Sequence, residues 1–145
     1  AANKTSHQYD IAVFADPVFD KEKFLAGEYE SSAGNDKEQF RSWAKSLSRL
    51  PSTAKEAAAI GKIYADAKVK IVTGAGATNK MLMSNEMRNA KILHIASHGY
   101  FSESTPDIVG IATSVIDKAG KDAPGFLTLT ELLSQPFSSK LVVTF

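Results

Sequence analysis

Short apolar runs alternate with segments of helical period along this chain. "YDIAVFAD" (Tyr9–Asp16) is a continuous apolar run that stops at Asp16-Pro17, and a residue before proline is steered away from the helical region. "LAGEYESSAGND" (Leu25–Asp36) is polar, glycine-bearing and without period, which predicts an exposed loop. "DKEQFRSWAKSLSRL" then places Phe40, Trp43, Ala44, Leu47 and Leu50 at helical spacing, with Pro51 as its stop. In "STAKEAAAIGKIYADA", Thr53 and Glu56 form a capping-box pattern ahead of an alanine-rich run of high helix propensity. "VKIVTG" (Val69–Gly74) reads as a strand. Thr78 is placed to cap one helix through "NKMLMSNEMRNA", and "KILHIAS" reads as the next strand.

Beyond it, "DIVGIATSVID" (Asp107–Asp117) is β-rich with a break at Gly110, and "KAGKDAPGF" is a turn-rich loop. Thr128 and Glu131 make a second capping box before the short helix "LTELLS", and "KLVVTF" (Lys140–Phe145) is a last apolar strand. The predicted order is β, loop, α, α, β, α, β, β, loop, α, β. Such alternation predicts an α/β layer fold, and strands that read as unbroken apolar runs suit a mostly parallel sheet covered on both faces.

Composition narrows the function classes. At 145 residues with 43% hydrophobic and 23% charged positions, the chain has the makeup of one soluble globular domain. The formal net charge is +1 and the basic residues are dispersed, so neither nucleic acid nor an acidic membrane is an expected partner. No window approaches a membrane span, no secretory signal is visible, and there is no cysteine, which fits a cytoplasmic setting.

Two motifs invite chemistry and are set aside. "TGAGATNK" (Thr73–Lys80) lies between a strand and a helix, but its third glycine is missing and Lys80 is followed by Met81, so it satisfies neither nucleotide-binding fingerprint. His94 and His98 are four apart on a strand. Their Cα atoms then stand roughly 13 Å apart, too far to share a zinc ion. No metal or other cofactor is expected. His94 reads as a buried histidine with a hydrogen-bond partner, and His7 as part of a polar arm.

His98 differs. It stands where "KILHIAS" gives way to a loop, and the carboxyl ends of strands in open α/β sheets are where ligands gather. It has the side chain for general acid–base work, and Gly99 beside it lets a backbone N–H face a developing oxyanion. A turn histidine before a turn glycine is the competing reading. Asp16, and Asp20 after it, end a strand at the same edge and read either as loop aspartates or as specificity residues. A serine hydrolase built on Ser97 finds no support, because no "GxSxG" elbow is present and adjacent strand residues face opposite ways.

The set "ILHIASHGYF", "TPDIVGIATS", "GFLTLTELLS" and "SSKLVVTF", with "IAVFADPVF" and "LPSTAKEAAAIGKIY" upstream, resembles the CHAT domain, a caspase-like domain often found beside tetratricopeptide repeats. The resemblance covers about Tyr9 to Phe145. It implies a three-layer caspase-like fold, with helices on both faces of a mostly parallel sheet, and a cysteine endopeptidase of the caspase and separase clan. His98 would be the catalytic histidine and Gly99 would supply an oxyanion-hole N–H. Asp16 or Asp20 would attract a basic P1 side chain. The nucleophilic cysteine is expected about two residues past Phe145, so that residues 1–145 form a partial domain, inactive alone and short of its C-terminal part. Implied partners are a protein or peptide substrate, a regulator or a tetratricopeptide-repeat region, and a second strand pairing along Leu141–Phe145, by self-association or otherwise. The alternative is a caspase-like interaction module that regulates rather than cuts.

Overall fold

The apolar run after Tyr9 folds as strand β1 (Ile11–Pro17), every residue of which is buried. The computed structural model of the protein describes residues 7–21, 47–101 and 109–144. Side chains alternate across β1, so it carries two cores at once. Ile11, Val13 and Ala15 pack with Ala57 and Ala96, whereas Ala12 and Phe14 pack with Leu82, Met87, Leu93, Ile95 and Leu132. Ala57 belongs to α1 (Pro51–Ile63), while Leu82, Met87 and Leu132 come from α2 (Asn79–Leu82), α3 (Asn85–Arg88) and α4 (Leu129–Leu133). Among the described residues, one long helix thus covers one face of the sheet and three short helices cover the other.

Between those layers runs a four-stranded sheet in the order β2 (Val69–Gly74), β1, β3 (Ile92–Ala96), β7 (Lys140–Thr144). Every pairing in it is parallel. This is the α/β, mostly parallel architecture that the patterning predicts. Parallel neighbours need crossovers, and the helices between the strands supply them.

A second sheet, β4 (Gly99–Phe101), β5 (Val109–Ala112) and β6 (Phe126–Thr128), is antiparallel in that order. Neither β4 nor β6 is expected from the sequence as a strand of its own, because three residues are too few to show a period. Gly110 does not break β5. It sits in the ladder between Tyr100 and Thr128, where a Cβ would strike the Leu127 carbonyl and the Phe126 ring.

Local rules explain where helices begin. Pro51 opens α1 instead of merely ending the segment before it, and the Thr53–Glu56 capping box does not form. Proline is favoured in the first helical turn. This early start leaves Thr53 inside the helix, its Oγ1 donating to the Leu50 carbonyl at 2.7 Å. The loop expected over 25–36, and all but the last four residues of the helix expected over 36–50, lie outside the described residues; 47–50 are not helical. The single helix expected after Thr78 is two, because Ser84 is extended and starts α3 with its own cap. Thr128 does cap its helix, though not by the full reciprocal box: its Oγ1 accepts from Glu131 N at 3.0 Å and donates to Glu131 Oε1 at 2.9 Å. Thr128→Ala is expected to lower stability by about 1 kcal/mol. A urea midpoint that does not move would show that this cap contributes nothing.

Candidate active site

His98 leaves the carboxyl end of β3. In β3 the side chains alternate, so His94, Ala96 and His98 share the face covered by α1, and Ser97 turns to the other. Ser97 is buried there, its hydroxyl donating to the Ala112 carbonyl at 2.7 Å. The His98 carbonyl accepts from Ala112 N at 2.9 Å. The backbone on both sides of the imidazole is therefore fastened to β5.

Among the described residues the half-buried imidazole meets a backbone carbonyl and an aromatic ring. Its Nε2 lies 3.1 Å from the Ser48 carbonyl, and its ring packs against that of Phe19 with centroids 5.2 Å apart and a tilt of 56°. A carbonyl oxygen only accepts, so this bond requires the proton on Nε2. In the neutral ring, Nδ1 is then left with a lone pair and is the atom able to take a proton. Phe19 is itself buried, and the loop carrying it is held by Val115 N donating to the Val18 carbonyl at 2.8 Å.

Gly99 follows as the first residue of β4, opposite Ile111. The bond spanning this pair runs from Ala112 N to the His98 carbonyl. That marks a non-hydrogen-bonded antiparallel pair, whose own N–H groups point away from each other. The Gly99 N–H is thus directed out of the β4–β5 ladder, beside His98, with β4 the outer strand of its sheet among the described residues.

Asp16 is built differently from a loop aspartate. Ala15 pairs with Thr73 and Pro17 with Gly74, so Asp16 is the extra residue of a bulge, and its φ is +45°. Left-handed backbone is uncommon outside glycine, though aspartate tolerates it. By alternation the side chain would share a face with Ala12 and Phe14. The bulge turns it instead to the start of α1. There Arg49 grips it through two bonds, Nε to Oδ1 at 2.8 Å and Nη2 to Oδ2 at 2.7 Å. Leu50 N adds a third at 3.0 Å, and Asp16 N donates to Thr53 Oγ1 at 3.0 Å. A substrate cation would meet a carboxylate already held by Arg49. Asp20 lies four residues on and is 2% exposed.

The remaining candidates separate from this group. His94 is mostly but not wholly buried, its side chain 14% exposed, and Nε2 approaches Glu56 Oε1 at 3.3 Å without the alignment of a hydrogen bond. His7 Nδ1 lies 2.7 Å from the Asn89 carbonyl, far along the chain from its own arm. "TGAGATNK" is a strand-to-helix turn in which Thr78 Oγ1 accepts from Met81 N at 3.1 Å. Among the described residues no cluster of histidine, cysteine, aspartate and glutamate is placed to hold a metal ion, and no helix is long and apolar enough to cross a membrane. Sequence reasoning passes over Ser48, Arg49 and Phe19. Ser48 acts through a backbone carbonyl, which no side-chain pattern reveals.

A search of curated proteins and a search of solved structures each return no match. The family model of the CHAT domain matches residues 1–143, which is nearly the whole chain and includes every strand of both sheets but the end of β7. A parallel caspase-like sheet, with a His-Gly pair leaving the strand next to the last one, agrees with that match: the chain belongs to the CHAT-domain family, whose members are related to caspase-like peptidases.

Proposed function

We propose that this domain supplies the histidine and one oxyanion donor of a cysteine endopeptidase, with the nucleophile carried on the continuation of β7. The observation behind this reading is the pairing of β3 with β7, in which Ala96 stands opposite Thr144. If that register continued two residues further, position 146 would come level with His98. Strands lie about 4.8 Å apart and rise ~3.3 Å per residue, so a cysteine one or two residues past Phe145 falls within reach of the imidazole.

The chemistry follows from the atoms already described. The thiol gives its proton to Nδ1 of His98, and the thiolate attacks the peptide carbonyl, forming a C–S bond. The negative charge that develops on oxygen faces the Gly99 N–H. As the C–N bond breaks, the imidazolium returns the proton to the leaving amine. Water, deprotonated by the same imidazole, then attacks the acyl carbon; a C–O bond forms, the C–S bond breaks, and the imidazolium returns its proton to the leaving thiolate. Without a nucleophile, residues 1–145 alone are inactive. Asp16 is held by Arg49 and Asp20 is 2% exposed, so a basic P1 residue would reach either carboxylate only if the loop around it moved. The substrate is a protein, met in the cytoplasm. β7 is the outer strand of its sheet among the described residues, and that edge receives either the chain's own continuation or a partner strand.

The test uses the protein encoded by the parent gene. A thiol-directed probe should label one cysteine within a few residues of position 145, and the protein should cleave members of a peptide library. A gene with no cysteine there, or a labelled protein that cuts nothing alone or with its neighbouring gene products, would falsify the peptidase reading and leave the interaction module in its place.

A further inference from the structure

Asp16 and Arg49 are more tightly built than a surface ion pair. The carboxylate is 8% exposed and the guanidinium 29%, and the two are joined by parallel bonds, the geometry that fixes direction as well as distance. Asp16 also adopts a conformation that most residues avoid, and such residues gather where the surrounding structure has a use for them. The segment it holds is short. Leu50 N bonds Asp16 Oδ1, Arg49 clamps both oxygens, and the very next residue back, Ser48, presents its carbonyl to His98 Nε2.

We infer that Asp16 and Arg49 are positioning residues for His98, acting through the Ser48 carbonyl to hold the imidazole in the tautomer whose Nδ1 accepts a proton. The inference rests on the peptidase reading for its kinetic consequence, but not for its structural one. The chain of contacts is short. Residues 48, 49 and 50 are consecutive, and the Leu50 N–H and the Arg49 guanidinium both bond the bulge, so the backbone beside the Ser48 carbonyl is restrained from two points. Thr53 closes the arrangement from the helix side, accepting from Asp16 N while donating to the Leu50 carbonyl. Asp16 therefore works inward, on the catalytic base, instead of outward on a substrate side chain. A shift of about 1 Å in such a support can cost on the order of 10²-fold in rate.

The experiment compares the full-length protein with Asp16→Asn, Arg49→Gln and the double variant. In cleavage assays kcat should fall roughly 10–100-fold while KM stays within about twofold, because substrate binding is untouched. The double variant should be no slower than the worse single one, since both break one support. Nitrogen NMR of histidine-labelled protein, at a pH where the ring is neutral, should show His98 as the single Nε2–H tautomer in the wild type and as a mixture in each variant. Arg49→Lys keeps the charge but not the fork and should give an intermediate loss; it carries the test if Asp16→Asn does not fold at assay temperature. An unchanged kcat, a rise in KM alone, or a His98 that keeps one tautomer in the variants would each overturn the assignment. A rise in KM alone is what a substrate-binding Asp16 would give. If the wild-type protein cleaves nothing, the peptidase reading fails while the tautomer measurement still decides what Asp16 and Arg49 do.

Discussion

His98→Ala in the complete protein is expected to abolish peptide-bond cleavage, with kcat/KM falling on the order of 10²–10⁴-fold or more. The size follows from the number of steps that lose their proton carrier. In the proposed mechanism the thiol would then have no acceptor at 98, and the leaving amine no donor. Folding should survive, because the ring is half-buried and the ties that matter to the backbone are made by the His98 carbonyl and the Ser97 hydroxyl, which alanine leaves in place. His94→Ala makes the contrast. That ring is mostly covered and lies 3.3 Å from Glu56 under α1, four residues back from His98 along the chain. Its loss should cost about 1–2 kcal/mol of stability and leave activity per folded molecule near wild type. Thermal melts and single-turnover assays on both variants separate the two effects. A His98→Ala protein that cuts at the wild-type rate would remove His98 from the chemistry.

The parts of this site that could be read from the sequence are those governed by local rules. An apolar run ended by Ser97-His98-Gly99 fixes a strand and places its terminal histidine without help from the rest of the chain. The parallel class follows from the same unbroken apolar runs. Three features were illegible for separate physical reasons. The Ser48 carbonyl is a backbone group, identical at every residue. The Asp16–Arg49 clamp spans 33 positions and depends on a bulge that reverses which way Asp16 faces. The strands β4 and β6 are each three residues long, and what makes them strands is mutual pairing across β5 instead of any preference of their own. The missing capping box at Thr53 shows the same lesson at small scale. The pattern was present, but Pro51 started the helix earlier and Asp16 took the Leu50 N–H from outside the helix.

The second large effect is expected at a residue that touches no substrate. Gly110 is the centre of β5, and a Cβ added there meets the Leu127 backbone carbonyl, with Phe126 ring atoms at 2.7 and 2.8 Å. A side-chain end can rotate away from such a contact; a carbonyl in a paired strand cannot. Either β6 separates from β5 or β5 shifts as a whole. Over-packing of a fitted interior costs about 1–3 kcal/mol where side chains yield, so Gly110→Ala should cost at least about 3 kcal/mol. In a domain of this size that lowers the melting temperature by roughly 10 °C. The consequence for chemistry comes through Ala112, two residues on, which accepts from the Ser97 hydroxyl at 2.7 Å and donates to the His98 carbonyl at 2.9 Å. Displacing β5 therefore slackens the backbone on both sides of the imidazole and turns the Gly99 N–H from its direction. Cleavage should drop even below the new melting point, at temperatures where the variant is still folded. Gly120→Ala is the control. Its φ is +77° but nothing lies within 4 Å of the added Cβ, so only backbone strain is felt, about 1–2 kcal/mol, with activity kept. Denaturant midpoints and kcat measured together decide the matter. If Gly110→Ala matches Gly120→Ala in both, then β5 does not hold His98 in place, and the rigidity assigned to the carboxyl end of β3 must come from the parallel sheet alone.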